Sequence, residues 1–433
     1  MSMTSQLVKS IQSCVPPHCK SVAIALSGGV DSVVMLHACL ALRAQTQSSF
    51  TVNAIHIHHG LSPNADDWLF FCQQLCEQFT LSFQCEIPFQ YSKVNVQPAP
   101  RKSLEALARD ARYSAIDQLA PADSVVLLGQ HEDDQAETVL LQLKRGSGPK
   151  GLSGMAERFT KTSSVQYARP WINTGIGKQE ILAYAREYEL TWVEDESNQD
   201  TSFDRNFLRN EVMPVLKKKW PQINTTIIRS ALLCASQNQL IETFAMEALQ
   251  KIENEEAALS LSGLSTLPDK LLSEVIRLWS AQQTGFSVSA AQLYEIQKLR
   301  TAKADQVGYV QVDSWQCRSF NQYLYWVALS DIANDPALAY SVQIELDNNI
   351  EYVNVTYGNL HRKVCLYANR PTKTIKAWMK ESGVRPWRRM AMPILCLNEQ
   401  VIALQLGDKL IFSAQFQARS ANTDAIQKLI QQV

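Results

Sequence analysis

Residues 21–32 read Ser-Val-Ala-Ile-Ala-Leu-Ser-Gly-Gly-Val-Asp-Ser, an apolar run that breaks at Ser27-Gly28-Gly29-Val30-Asp31-Ser32 and continues into the helix-forming residues 33–42. The order predicts a strand, an anion-binding loop and a helix. Paired glycines let backbone N–H groups approach a phosphate, and the helix N-terminus directs about half a positive charge at the same point. Ser27 and Ser32 add hydroxyl donors. Asp31 would repel a bare phosphate, so a Mg²⁺ held there is the expected arrangement. No Gly-Lys-Ser/Thr follows, which excludes a Walker A loop, and the glycine spacing is not that of a dinucleotide site.

Outward from this stretch, Leu7, Ile11 and Val15 recur at helical spacing ahead of the strand. Residues 52–57 and 83–87 read as further strands, with a helix over 68–79 between them. Ser103 is the expected N-cap of a helix over 103–119, whose apolar face holds Leu104, Leu107, Ala108 and Ala111. Residues 125–128 are wholly apolar, as suits a strand buried on both faces of a parallel sheet. This alternation predicts an α/β fold built on a doubly wound parallel sheet. Its ligand belongs at the carboxyl ends of the strands, where Ser27, His58 and Gly129 fall.

A chain of 433 residues exceeds one ordinary domain. Near Pro214 the texture changes to helical periodicity at 223–252, 271–279 and 290–299, then to alternation at 323–328, 340–346 and 351–357. The expected division is a catalytic α/β domain over 1–215, a small helical domain over 216–325 and an α+β domain over 326–433. A net charge of −1 gives no global sign of a nucleic-acid partner, so any basic surface must be local. Ten cysteines include no Cys-x-x-Cys pair, and Cys72 and Cys76, one helical turn apart, read as packing. Reduced thiols in a cytoplasmic protein are expected. The sequence has no 18-residue apolar run and no signal-peptide pattern, so neither membrane insertion nor secretion is expected.

The strand ending near Leu128 runs into Gly129-Gln130-His131-Glu132-Asp133-Asp134-Gln135-Ala136-Glu137-Thr138, and Leu143-Lys144-Arg145-Gly146-Ser147-Gly148 follows. Asp133 and Glu137 share one helix face with Asp134 beside them, and three carboxylates in one turn repel each other unless a cation is shared. This turn should face the same crevice as the Ser27 loop. A Mg²⁺ bridging Asp31 and Asp133 would there neutralise a pyrophosphate leaving group. His56, His58 and His59 look like a metal cluster, but alternation sends His59 the opposite way, so contacts near a nucleotide are preferred to zinc.

The hexapeptide 27–32 resembles the PP-loop of the ATP pyrophosphatases, whose members adenylate a substrate oxygen and release pyrophosphate before a nucleophile displaces AMP. With Trp192-Val193-Glu194-Asp195-Glu196-Ser197-Asn198-Gln199-Asp200 and Arg205-Asn206-Phe207-Leu208-Arg209, the two motifs resemble those of the tRNA(Ile)-lysidine synthetase family over residues 1–215. The resemblance implies a Rossmann-like PP-loop domain using ATP and Mg²⁺. It implies adenylation of the C2 oxygen of the wobble cytidine in CAU-anticodon isoleucine tRNA and attack on C2 by the ε-amine of free L-lysine, which changes decoding from AUG to AUA. Nucleotide contacts then fall to Ser27, Gly28, Gly29, Val30, Asp31, Ser32 and His58, and substrate contacts to Asp195, Asn198, Arg205 and Arg209. A looser resemblance covers Lys376-Ala377-Trp378 and Gly383-Val384-Arg385-Pro386-Trp387-Arg388-Arg389, where Arg385 replaces a usual proline.

With an ε-amine pKa near 10.4, only about one free lysine in a few thousand is a nucleophile at pH 7. A carboxylate that binds the ammonium must later accept its proton. Asp134 and Glu137 are the candidates, with Asp133 and Asp31 nearer the metal and Arg145 on developing phosphate charge. For RNA, residues 361–390 hold nine Lys or Arg against the single acid Glu381, with two tryptophans interleaved. That is a footprint for phosphate and stacking contacts, assigned to Lys373, Lys376, Trp387 and Arg388. Lys217-Lys218-Lys219 with Arg205 and Arg209 would extend a positive path to the active domain. The oligomeric state is open, a homodimer included. The rival reading is a PP-loop tRNA thiolase delivering sulfur. It needs a reactive cysteine or an iron–sulfur ligand set, and Cys39, Cys72, Cys76 and Cys85 lack that spacing.

Overall fold

The structure, a computed structural model of the chain, describes residues 3–46, 49–58, 60, 62–95, 104–162, 165–300, 308–332, 340–346 and 349–417. It divides into two compact units, Met1–Leu240 and Ile241–Val433.

The first unit is a three-layer α/β sandwich. Strand β1 (Ser21–Ala25) shares a six-stranded sheet with β2 (Thr51–His58), β3 (Phe89–Lys93), β4 (Val125–Leu127), β5 (Arg158–Thr162) and β6 (Val165–Ala168). The order is β3-β2-β1-β4-β6-β5, and every neighbouring pair is parallel except β5–β6 at the edge. Val22 and Ile24 pack with helices α1 (Met3–Cys14), α2 (Val30–Thr46) and α3 (Ala65–Phe83). Ala23 points the other way, to Tyr113 and Ile116 of α4 (Leu104–Leu119). Burial on both faces is why β1 from Val22 onward and β4 carry only apolar side chains. Chain order reverses between β1 and β4, and the crevice at their carboxyl ends is the switch point where such a sheet takes a ligand. Helix α5 (Glu132–Lys144) starts there, and α6 (Pro149–Leu152) and α7 (Lys178–Glu187) follow.

Two expected elements differ from the structure. The helix over 68–79 extends to Ala65–Phe83, and no strand forms over 83–87, the third strand being Phe89–Lys93. Phe83 joins an aromatic cluster with His37 and Phe79, at centroid distances of 5.1 and 6.1 Å. Gln84 then caps the helix in the left-handed region, and the ladder to β2 begins where Ala54 N donates to the Pro88 carbonyl. Tertiary packing of Phe83 overrides its strand preference. Ser103 and His59 lie outside the described residues.

The helices expected over 223–252, 271–279 and 290–299 are Ile223–Ile252, Asp269–Thr284 and Ala290–Leu299. In the second unit Leu272, Val275, Ile276, Trp279 and Leu293 form one core with Leu259, Cys317 and Leu324. The last three belong to a four-stranded sheet, ordered Leu259–Ser260, Tyr323–Ala328, Trp315–Phe320, Tyr309–Val312. The helical region therefore carries a sheet of its own. Tyr323–Ala328 pairs with Leu259–Ser260 and Trp315–Phe320, so it completes this sheet and does not open the final module. Alternation identifies a strand but not its partner.

The final module is a five-stranded antiparallel sheet in the order Tyr340–Leu346, Asn349–Thr356, Ile394–Leu397, Gln400–Leu406, Lys409–Phe412. Helix Ile375–Glu381 covers one face, packing Ile375, Trp378 and Met379 with Ile394, Cys396 and Leu404. Gly383, at φ 73°, ends that helix, and Val384 N donates to the Met379 carbonyl at 2.9 Å, a Schellman closure. Among the described residues no helix is long and apolar enough to cross a membrane.

Trp378 is 1% exposed, and its Nε1 donates to the Val364 carbonyl at 2.9 Å. Trp378→Ala is expected to destabilise the second unit by about 3–5 kcal/mol. Urea unfolding checks this, and a loss below about 1 kcal/mol would contradict the packing described.

Candidate active site

The loop after β1 is braced from within and from β2. Ser27 N donates to Ser32 Oγ at 3.1 Å, and Ser32 Oγ donates to the Gly29 carbonyl at 2.9 Å. His56 Nδ1 donates to the Leu26 carbonyl at 2.9 Å, and burial lowers the His56 pKa, so the ring stays neutral. Gly28 has φ 89°, and a Cβ there would come within 2.8 Å of Val193 Cγ2. Val193 N donates to the Gly28 carbonyl at 3.0 Å. A Cβ on Gly129 would lie 3.0 Å from the Asp31 carbonyl carbon. The second motif thus starts in backbone contact with the first, as the switch point requires.

His131 caps α5. Its Nδ1 accepts from Asp133 N at 3.3 Å, and Asp134 Oδ2 accepts from His131 N at 3.1 Å. This reciprocal capping places the imidazole proton on Nε2, which faces Asp134 at 3.5 Å and Asp31 at 3.8 Å. The acidic turn was expected to need a shared cation. Within the chain, basic side chains take that part. Glu137 accepts from Arg205 Nε at 3.0 Å and from Arg209 Nε and Nη2 at 2.8 and 2.9 Å. Asp134 Oδ1 accepts from Arg209 Nη2 at 2.8 Å and Arg205 Nη2 at 3.4 Å. Asp133 Oδ1 takes Lys217 Nζ and Asn224 Nδ2, and its Oδ2 takes Lys178 N at 2.9 Å. Lys178 Nζ reaches both Asp31 oxygens, at 2.9 and 3.1 Å. Asp31, Asp133, Asp134 and Glu137 are thus matched by Lys178, Lys217, Arg205 and Arg209.

Burial alone would raise the Asp133 carboxyl, but Lys217, the Lys178 amide and His131 outweigh it and hold the pKa at about 2, below its usual 3.8. Asp134 is also pulled down, burial being outweighed by His131, Arg205 and Arg209. Glu132, buried with Thr225 Oγ1 at 3.3 Å, is raised by that burial.

Asp31, Asp133, Asp134 and Glu137 do converge, but with a different division of labour. Asp133 has both oxygens bonded within the chain, as Asp31 has through Lys178, and among the described residues there is no group of three or more His, Cys, Asp or Glu that could hold a metal ion. Asp31, a third exposed and on the loop itself, suits Mg²⁺, which commonly takes one or two carboxylates and completes its shell with phosphates and water. Arg205, Arg209 and Lys217 pair with the acids of α5 while 26%, 37% and 42% of their side chains stay exposed. Arg145 caps the far end of α5, about 20 Å along the axis from Asp133, and is not brought to the loop. His58 Nε2 faces Asp66 at 3.2 Å. Asp195 and Asn198 shape a turn: Asp195 Oδ1 accepts from Ser197 N, and the Asn198 carbonyl accepts from Asn210, both at 2.9 Å.

In the second unit Trp387 is 8% exposed, its ring 5.7 Å from Tyr325 and 6.0 Å from Phe320. With Trp378 in the core as well, neither tryptophan offers a face for base stacking. Lys373 pairs with Glu381 at 2.6 Å, whereas Lys376 and Arg388 are exposed. Sequence reasoning missed His131, Asn224 and Lys178 as site residues. For Lys178 a signal existed. A cation in the first turn of a helix opposes the macrodipole and calls for a local anion.

An anion-binding loop and an acidic helix turn meeting at the switch point of a parallel sheet define a nucleotide-activating α/β protein. Residues 3–216 match the family described as PP-loop domain, 259–325 that described as TilS substrate binding domain, and 353–426 that described as TilS substrate C-terminal domain. The chain is 35% identical over 410 residues to the tRNA(Ile)-lysidine synthase of Pectobacterium atrosepticum, covering 89% of this chain and 90% of that one. The Vibrio cholerae tRNA(Ile)-lysidine synthase is 35% identical over 407 residues, with the same two coverages. That of Yersinia pestis is 34% identical over 419 residues and 89% of both chains. The chain belongs to the tRNA(Ile)-lysidine synthase family.

Glu137→Gln removes the negative charge beneath two guanidinium groups. It is expected to cost about 2–3 kcal/mol of stability, partly recovered when Arg209→Ala is added, in a double-mutant cycle read by urea unfolding. Additive losses would mean the pair is not coupled. The depressed Asp133 pKa contributes stability above pH 3.8, lost as pH falls from about 4 to about 2. Asp133→Asn should therefore flatten the acid limb of the stability curve in that window and leave its slope above pH 5 unchanged.

Proposed function

We propose that the protein ligates free L-lysine to C2 of the wobble cytidine of CAU-anticodon isoleucine tRNA, forming lysidine through an adenylated tRNA and releasing AMP and pyrophosphate. The observation that carries this is the approach of Gly129 and of His131, the cap of the acidic turn, to Asp31 of the loop, in a chain whose named relatives align over about nine-tenths of both lengths.

The loop and the α2 N-terminus receive the phosphates, with Ser27 and Ser32 as hydroxyl donors. Mg²⁺, held through Asp31 together with phosphate oxygens, would supply charge neutralisation of the leaving pyrophosphate. Adenylation then depends mainly on alignment and fixed positive charge. Asp134 and Glu137 lie beneath Arg205 and Arg209, which are 26% and 37% exposed. The carboxylates attract the lysine ammonium electrostatically, while the guanidinium edges can take an anionic oxygen. An ammonium has no lone pair, so one lysine proton must leave before the amine attacks C2. A carboxylate clamped by two guanidiniums is a weak base, so Asp134 or Glu137 takes that proton once the bound lysine has displaced a guanidinium, and the C2–O bond then breaks to release AMP with that oxygen. Lys376 and Arg388 are proposed to contact tRNA phosphates. Relatives named as lysidine synthases do not favour sulfur delivery. Nor do the thiols of Cys39, Cys72 and Cys76, which burial pushes up to about 12.

The test is incorporation of labelled lysine into unmodified CAU-anticodon isoleucine tRNA with ATP and Mg²⁺, comparing the parent with Asp31→Ala. Incorporation that falls at least about 100-fold in the variant is expected. Formation of AMP and pyrophosphate without lysine transfer would leave adenylation standing and reject the substrate assignment.

A further inference from the structure

Lys178 joins the two halves of the crevice. Its backbone is fixed to the acidic turn, Lys178 N donating to Asp133 Oδ2 at 2.9 Å, and a Cβ on the preceding Gly177 would come within 2.8 Å of the same oxygen. Its ammonium crosses to Asp31, a residue of the anion-binding loop, at 2.9 and 3.1 Å. The side chain is 44% exposed and the Asp31 side chain 33%. Arg205 and Arg209 hold carboxylates of α5 close to full burial. Lys178 instead holds a carboxylate at the surface where phosphates would arrive.

We propose that Lys178 is a phosphate-binding residue whose ammonium leaves Asp31 for the β- and γ-phosphates of ATP, freeing the Asp31 carboxylate for the accompanying Mg²⁺. This rests on the ATP reading above. An ammonium is a compact charge with three rotatable donors, suited to phosphate oxygens that already meet the loop and the α2 N-terminus. Asp31 lies in the first turn of α2, so the ammonium has only a short distance to travel. Asp31 keeps a cation throughout, and the added phosphate charge meets the released ammonium.

The experiment is calorimetric binding of ATP with Mg²⁺, of inorganic pyrophosphate and of AMP, without tRNA or turnover. Lys178→Met is expected to weaken ATP and pyrophosphate about 10- to 100-fold while AMP changes less than about twofold, and Lys178→Arg to recover most of the loss. Lys178→Gln carries the same expectation if the Met variant folds poorly. Unchanged ATP affinity, or equal losses for ATP and AMP, would overturn the assignment. A parent protein that binds neither ATP nor pyrophosphate would overturn the ATP reading itself, a result distinct from a parent that binds ATP indifferently to residue 178.

Discussion

Four carboxylates in one crevice must each be met by positive charge, or the crevice does not form. Taking an ionised carboxylate from water costs several kcal/mol unless a partner and hydrogen bonds replace the lost solvent. Glu137 is 2% exposed on its side chain and Asp134 12%, and both lie beneath the paired guanidiniums of Arg205 and Arg209. The short helix and π turn that carry those arginines, Asp204–Phe207 and Leu208–Val212, run on into helix Met213–Lys219. The placement of this segment against α5 follows from these ion pairs. The turn at Asp195–Asn198 supports the same segment, since Asn206 and Asn210 donate to carbonyls of residues 197, 198 and 200.

The sheet and the loop were legible because their signals are local. An apolar run followed by Ser-Gly-Gly announces strand, loop and helix within twelve residues, and the acidic turn announces itself within five. Partners were not legible. Arg205 meets Glu137 across 68 positions and Lys178 meets Asp31 across 147, distances over which no periodicity carries information. Charge sign alone does not name a partner. Basic residues near an RNA-directed site look like RNA contacts, yet Arg205, Arg209 and Lys217 neutralise the protein's own acids. Trp387 misled in the same way, since an aromatic amid arginines resembles a stacking platform but here packs with Phe320 and Tyr325. The strand expected over 83–87 failed because Phe83 gains more from His37 and Phe79 than from a ladder.

Helix Ile223–Ile252 connects two scales of the molecule. Asn224 and Thr225, in its first turn, bond Asp133 and Glu132 of the crevice. Its last turns contribute Ala245, Ala248 and Leu249 to the core of the second unit. A helix of 30 residues is about 45 Å long.

Gly28 and Gly129 contribute no side chain, yet they set how near the two motifs can lie. The space a methyl group would need at either position is already filled, by Val193 in one case and by the Asp31 backbone in the other. The usual ranking of mutational tolerance is inverted here. In a survey of random variants scored for growth, the charged residues of the crevice should tolerate some exchanges of like charge. The two smallest residues should tolerate none, because what they supply is vacancy, and no other amino acid is smaller.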